Sequence, residues 1–379
     1  MPFFSQGFRP FFLMAALWAA ISMGIWITYW AGGMALTGPL LPLDWHVHEL
    51  VFGYGGAVLC GFLLTAIPNW TRRPPLSGLP LAALALIWLA ARIGFLIGPE
   101  EVSPSLIALD LAFPALFSAF AGREIIAGGN RRNLPVLAIC VLFLIGDALF
   151  HWETLAGSGY YGGRIGIAVL VGLICLIGGR IIPAFTRNWL KAQGASALPA
   201  GMNGFDKATL ALTVPALALW VALPAHPLTG IAGLALGALH ILRLARWCGW
   251  ATRTEPLLFT LHIAYGFVGL GFLLAGLAAF GLVPAMSTIH SWTVGAIGAM
   301  TLTVMSRATL GHSGRPLKAG WVETAFLAAL PLAALSRIAS TFPAAPLWTL
   351  HLSATLWIVG FALFALRYAP VMIAPRHPA

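Results

Sequence analysis

The sequence predicts an all-α polytopic membrane protein, a bundle of about twelve transmembrane helices with both termini in the cytoplasm. Hydrophobic residues make up 60% of the 379 and charged residues only 8%, and the mean hydropathy of +0.90 is far from that of a soluble domain of this length. The apolar runs are continuous rather than alternating every second residue, which selects helices over a β-barrel. Basic residues alternate between loops: of the 21 Lys and Arg, all but Arg92, Arg164 and Arg337 fall at the termini or at loops and helix ends after even-numbered spans. Positive charge stays on the cytoplasmic side, so this split sets the orientation and supports an even number of spans. The formal charge of +10 is then topology rather than a nucleic-acid footprint.

Each span is an apolar run near the roughly 20 residues that cross a bilayer. The first, 8–31, follows only "MPFFSQGFRP", with no polar segment and no convincing cleavage site behind it, and is expected to be a retained helix rather than a secretory signal. The second, 44–67, opens on the ionisable string "DWHVHE". Spans at 80–98, 103–121, 133–151 and 163–185 complete the first six. The longest loop, "RNWLKAQGASALPAGMNGFDK" at 187–207, separates them from spans at 205–223, 227–247, 256–280, 286–306, 320–340 and 346–369. A six-plus-six division is compatible with a duplicated transporter, yet no broken helices or motifs repeat in corresponding places. No extramembrane segment is long enough to fold alone, so residues 1–379 are expected to form a single transmembrane domain.

Cys60, Cys140, Cys175 and Cys248 are widely separated and lack paired spacing, which argues against disulfides and thiolate metal sites. The strings "GAVLCG", "GIAVLVG" and "GIAGLALG" offer small faces for close helix contact. No Walker loop, G-x-S-x-G, H-E-x-x-H or C-x-x-C-H occurs, which argues against nucleotide-driven transport, hydrolysis and covalent c-type haem.

Chemistry concentrates in the ten histidines. His46, His48, His151, His290 and His351 sort to the outer ends of spans, whereas His240 and His262 share a hairpin about 10 Å in from the inner end at 1.5 Å per residue. His226, His312 and His377 fall in loops or the tail. One membrane histidine is ordinarily an interhelical hydrogen bond or an interfacial anchor. Seven, sorted into two clusters, point to metal centres, because ionisable groups in spans are costly and neutral imidazole is the commonest ligand of haem iron, copper and non-haem iron.

Two positions apart, His46 and His48 point roughly 200° from one another on a helix, while His46 and Glu49 share a face. One of the pair is then expected to ligate a haem while the other, with Glu49, holds a second metal; if 44–48 is still extended, both could clamp one ion. Asp44 is either a helix cap or a partner to a ligand's far N–H. Arg180 and Arg307, near the inner ends of spans 6 and 10, suit haem propionates, with Arg164 and Arg337 as outer counterparts. Asp110, Asp147 and Glu323 within spans are either structural hydrogen-bond partners or steps in a proton path.

The strings "FRPFFL" (8–13), "WHVHELVFGYGGAVLCGFLLTAIPNWT" (45–71), "GGRIIPAFTRNWL" (178–190), "HIAYGFVGLGFLL" (262–274) and "VGAIGAMTLTVMSRATLGHSGRPL" (294–317) resemble the NnrS family. That resemblance implies a multi-pass protein of the bacterial inner membrane, linked to nitric oxide and containing haem and copper; joined to the imidazole clusters, the expected cofactors are haem b, one or two, and copper or non-haem iron. His46, His48, Glu49, Arg180, His262, Arg307 and His312 lie in these recurrent strings and His290 just before the last of them; His240, His351 and His151 do not.

Together these readings predict reduction of nitric oxide to N₂O at an outer-leaflet haem and second-metal site. His48 or His290 would ligate haem, and His46, Glu49, His290 and His351 are the further metal-ligand candidates. His262, with His240, would hold an inner haem. Glu49 or Asp147 would admit protons, and a quinone or small redox protein would supply electrons. The alternatives are a haem protein that binds nitric oxide without turnover, as sensor or protectant, and a haem or metal transporter.

Overall fold

The computed structural model describes residues 2–375, and His377 lies outside them. Among these residues the chain is helical, with no strand. Twelve long helices run in order: α1 (Phe8–Trp30), α2 (Pro42–Thr71), α3 (Leu79–Ile97), α4 (Pro104–Ala127), α5 (Leu134–Ala156), α6 (Tyr161–Ala192), α7 (Gly204–Ala222), α8 (Pro227–Ala245), α9 (Pro256–Ala279), α10 (285–312), α11 (Trp321–Ala339) and α12 (Trp348–Ile373). Eleven of them are long and apolar enough to cross a membrane. The exception is α10, expected as a span at 286–306. It is continuous, but Ser287, Thr288, His290, Ser291, Thr293, Thr301 and Thr303 dilute its apolar content.

Local chemistry accounts for the helix starts. Proline occupies the first turn of α2, α3, α4, α5, α8 and α9, where its missing N–H costs nothing. Asn203 and Asp206 close a reciprocal capping box at α7.

Three helices widen into π-helical turns: Glu49–Tyr54 in α2, Ile174–Gly178 in α6 and Ser291–Gly298 in α10. Such turns redirect side chains and loosen backbone carbonyls from the regular ladder. In α2 the carbonyl of Gly53 accepts a hydrogen bond from Trp88 Nε1 at 2.9 Å. In α6 that of Cys175 accepts one from Arg243 Nη1 at 3.1 Å. A tertiary donor thus satisfies a backbone group at each of these two widenings.

The chain forms two compact units. The first comprises residues up to 169, 308–316 and 361 onward; the second comprises 170–307 and 317–360. In the first, Trp18 of α1 meets Trp88 of α3 edge-on at 6.2 Å, and Phe113 and Phe143 close on Gly56 of α2. Arg9 Nη1 donates to the carbonyls of Met372 and Ala374, tying the start of α1 to the end of α12.

The core of the second unit is the α8–α9 hairpin, where backbones touch directly. A Cβ on Gly233 would sit 2.7 Å from the amide nitrogen of Gly276 and 2.8 Å from the carbonyl of Phe272. Without water to drive apolar association, such close contact is what holds membrane helices together. Gly233→Val is expected to force the pair apart and lower stability by about 1–3 kcal/mol. An unchanged midpoint in an SDS-unfolding titration of detergent-solubilised protein would contradict that packing.

Candidate metal centre

Four antiparallel helices of the first unit bring their ionisable residues to one level. His48 is the seventh residue of α2, and Asp110 the seventh of α4. Arg92 lies a little over one turn before the end of α3, and Asp147 and His151 lie in the last turns of α5. Because α2 and α4 start where α3 and α5 finish, all five side chains fall about 10 Å in from the same ends, at 1.5 Å per residue. All are buried, none more than 3% exposed.

Four of them converge. His48, Asp110, Asp147 and His151 each offer one ligand atom, and these atoms lie within 4.8 Å of one another. His48 Nε2 is 3.0 Å from Asp110 Oδ2 and 3.3 Å from Asp147 Oδ1; His151 Nε2 is 2.9 Å from the same Asp110 oxygen. Asp147 and His151 stand one helical turn apart, which places both on the same face of α5.

Glu49 and Arg92 frame this group. Glu49 Oε1 lies 3.0 Å from His48 Nδ1, and Oε2 accepts from Trp18 Nε1 at 2.7 Å. His48 thus has a carboxylate at each ring nitrogen, Glu49 at Nδ1 and Asp110 and Asp147 at Nε2. Buried carboxylates brought this close require positive charge between them, either protons on the two imidazoles or a metal ion. Arg92 supplies none at that point: Nη2 pairs with the other oxygen of Asp110, and Nη1 reaches Glu49 Oε1 at 3.2 Å. Phe95 stacks on His151 with ring centroids 5.5 Å apart, and Phe52 and Phe150 flank His48 at 5.7 and 5.3 Å. The cluster has the donors, spacing and burial to hold a metal ion.

The family model of the NnrS protein matches residues 2–376, nearly the whole chain. The chain belongs to the NnrS family. It is thereby a nitric-oxide-associated, metal-binding membrane protein. No curated protein matches it.

In this NnrS chain the histidines anticipated from sequence fall in several places. Glu49, expected as a metal ligand or catalytic acid, turns its carboxylate to His48 Nδ1, Trp18 and Arg92. His46, expected beside it on a second metal, stacks instead on Trp26 with centroids 4.2 Å apart. The π-helical turn begins at Glu49, so the regular three-residue spacing that paired these two does not continue through it.

His240, His262, His290 and His351 belong to the second unit. His240 is fully buried with both ring nitrogens bonded, Nδ1 to Tyr265 Oη and Nε2 to Thr213 Oγ1, each at 3.0 Å. Arg243 Nη1 donates to the same phenol at 2.8 Å, and its Nε donates to Asp206 at 3.0 Å. The pair expected at one level of the α8–α9 hairpin is thus absorbed separately, since His262 Nε2 meets Thr186 Oγ1 at 2.8 Å. His290 Nδ1 donates to the Met286 carbonyl at 2.8 Å. The Arg307 guanidinium lies over the Phe185 ring at 4.4 Å, Arg180 is exposed, and His351 is half-buried.

From sequence, His151 was one of the outer-end histidines but not a named ligand, and Asp110 was a structural partner or proton step rather than part of a metal-ligand set. The available signals were an Asp–x–x–x–His pair on one helical face of α5, an aspartate in the middle of an apolar run, and Arg92 on the side otherwise poor in basic residues.

Proposed function

We propose that this NnrS protein holds one metal ion between His48, Asp110, Asp147 and His151, and that nitric oxide is bound there and reduced to N₂O. The observation that carries the reading is the convergence of one ligand atom each from His48, Asp110, Asp147 and His151 within 4.8 Å in a buried site. A redox-active ion would supply the centre at which nitric oxide nitrogen is held and accepts charge. Glu49 fixes the tautomer of the ligating imidazole, and Arg92 holds Asp110 by its second oxygen so that the first points inward. Phe52, Phe95 and Phe150 wall the site with rings, an environment suited to a small neutral ligand arriving through lipid.

The reaction combines two NO, two electrons and two protons into N₂O and water. Electrons come from a quinone or small redox protein, and Asp147, the carboxylate without an arginine partner, is the internal group placed to pass protons.

The distribution of basic residues supports termini in the cytoplasm of a bacterial inner membrane, with the cluster toward the outer leaflet. Arg92 no longer opposes that orientation, because it is spent inside the cluster.

Haem fits this cluster poorly: the rings of His48 and His151 are 4.9 Å apart, with no room for a porphyrin between them. A haem b would need an anchor elsewhere, and His290, whose Nδ1–H donates to the Met286 carbonyl, is the histidine we assign to it.

In protein purified in detergent, wild type is expected to carry one ion per chain at the cluster and to form N₂O from nitric oxide and reductant. His48→Ala should lose that ion and at least about 100-fold of the rate, given that even residues behind a ligand contribute 10–100-fold. Nitric oxide binding without N₂O would make the protein a sensor or protectant. Metal uptake into vesicles would make it a transporter.

A further inference from the structure

The charge and donor inventory of the cluster also selects its ion. Resting on the metal-centre reading, we infer that the site takes a divalent first-row transition ion and rejects monovalent copper. The ligand set is two imidazole nitrogens and two carboxylate oxygens. No thiolate or thioether belongs to it, and the absence of sulfur removes the donors that favour Cu(I).

Charge leads to the same class independently. Counted as carboxylates, Asp110, Asp147 and Glu49 bring three formal negative charges, and the Arg92 guanidinium, bonded to two of them, brings one positive charge against them. With His48 and His151 neutral as ligands, two negative charges remain in a site closed by Phe52, Phe95 and Phe150. A divalent ion makes the assembly neutral, a monovalent ion leaves a net anion, and a trivalent ion leaves a net cation. Net charge buried in an apolar surrounding is costly, so the divalent state is the one the protein is built around. Arg92 therefore does more than brace Asp110. Without it the site would suit a more highly charged ion.

The test is metal loading, which needs no turnover. Full-length protein in detergent is stripped with a chelator and titrated separately with Co(II), Zn(II), Mn(II), anaerobic Fe(II), and Cu(I) buffered by bicinchoninate. Wild type is expected to take one divalent ion per chain, with Co(II) giving d–d absorption bands, and to yield Cu(I) to the competing chelator. His48→Ala should abolish the Co(II) bands. Because that variant risks misfolding, Glu49→Gln provides a second measure: it keeps the carbonyl oxygen facing His48 but removes one negative charge, and should weaken Co(II) binding by about 10–100-fold.

Retention of one Cu(I) per chain in wild type, lost in His48→Ala, would overturn this inference while leaving a metal centre in place. Failure to bind any ion would overturn both readings. Divalent binding without N₂O formation would sustain this inference and remove only the reductase.

Discussion

Replacing Arg92 with Leu is expected to cost about 3–5 kcal/mol of stability, the penalty for leaving buried charges without their partner. Arg92 is 1% exposed and spans Glu49 and Asp110, so its loss leaves three carboxylates in one apolar pocket with no cation. The effect should be read as an earlier midpoint in SDS unfolding of metal-stripped protein. Arg92→Lys should recover part of it, since a single ammonium keeps the charge but not the two-pronged reach of the guanidinium. Adding a divalent ion should restore more, because a ligand bound only by the folded state at 100 times its Kd contributes about 2.7 kcal/mol. A midpoint unmoved by Arg92→Leu would mean that the carboxylates are not ionised around it. A midpoint that drops but does not respond to metal would separate the ion pair from the proposed site.

Arg243→Leu is expected to have a comparable effect in the second unit, for a different structural reason. This guanidinium is fully buried and donates to Asp206, to the Tyr265 phenol and to the carbonyl of Cys175 at the π-helical turn of α6. Its removal takes one of the two guanidinium partners of Asp206 and the donor of a buried backbone carbonyl at once, a loss of about 1–3 kcal/mol for each acceptor left short. Arg243→Leu combined with Asp206→Asn should be less destabilising than Arg243→Leu alone, because the charge left short of a partner disappears while the side-chain oxygen that caps α7 is retained. The double variant measured below the single one would show that Asp206 contributes mainly through its cap and Arg246, which lies 3.1 Å from its other oxygen.

The comparison of His46 with His48 shows how far a linear reading reaches into the site. Both were visible as imidazoles at the threshold of one apolar run, and helical geometry correctly separated their directions. Nothing in the local pattern distinguished the one that stacks on Trp26 from the one that meets Asp110, 62 residues away. Glu49 was expected as a functional carboxylate, but the contacts it makes are to Trp18 and Arg92, contributed by two other helices. His240 and His262 were placed at one depth by equal offsets from their loop. Depth does not specify azimuth, and their nearest polar partners are Tyr265 and Thr213 for one and Thr186 for the other.

Sequence by itself determined the helical membrane class, the near-boundaries of all twelve helices and membership of the NnrS family. Hydrophobicity, helix-starting prolines and basic loops act over one segment at a time, and a bilayer leaves each apolar segment little choice but a helix. Only the tertiary structure decided which of the ten histidines and eleven acidic residues share a pocket. That decision requires α2, α3, α4 and α5 to meet at one level, with a π-helical turn at Glu49. It depends on the packing of rings and small residues between helices, and no period along the chain records it.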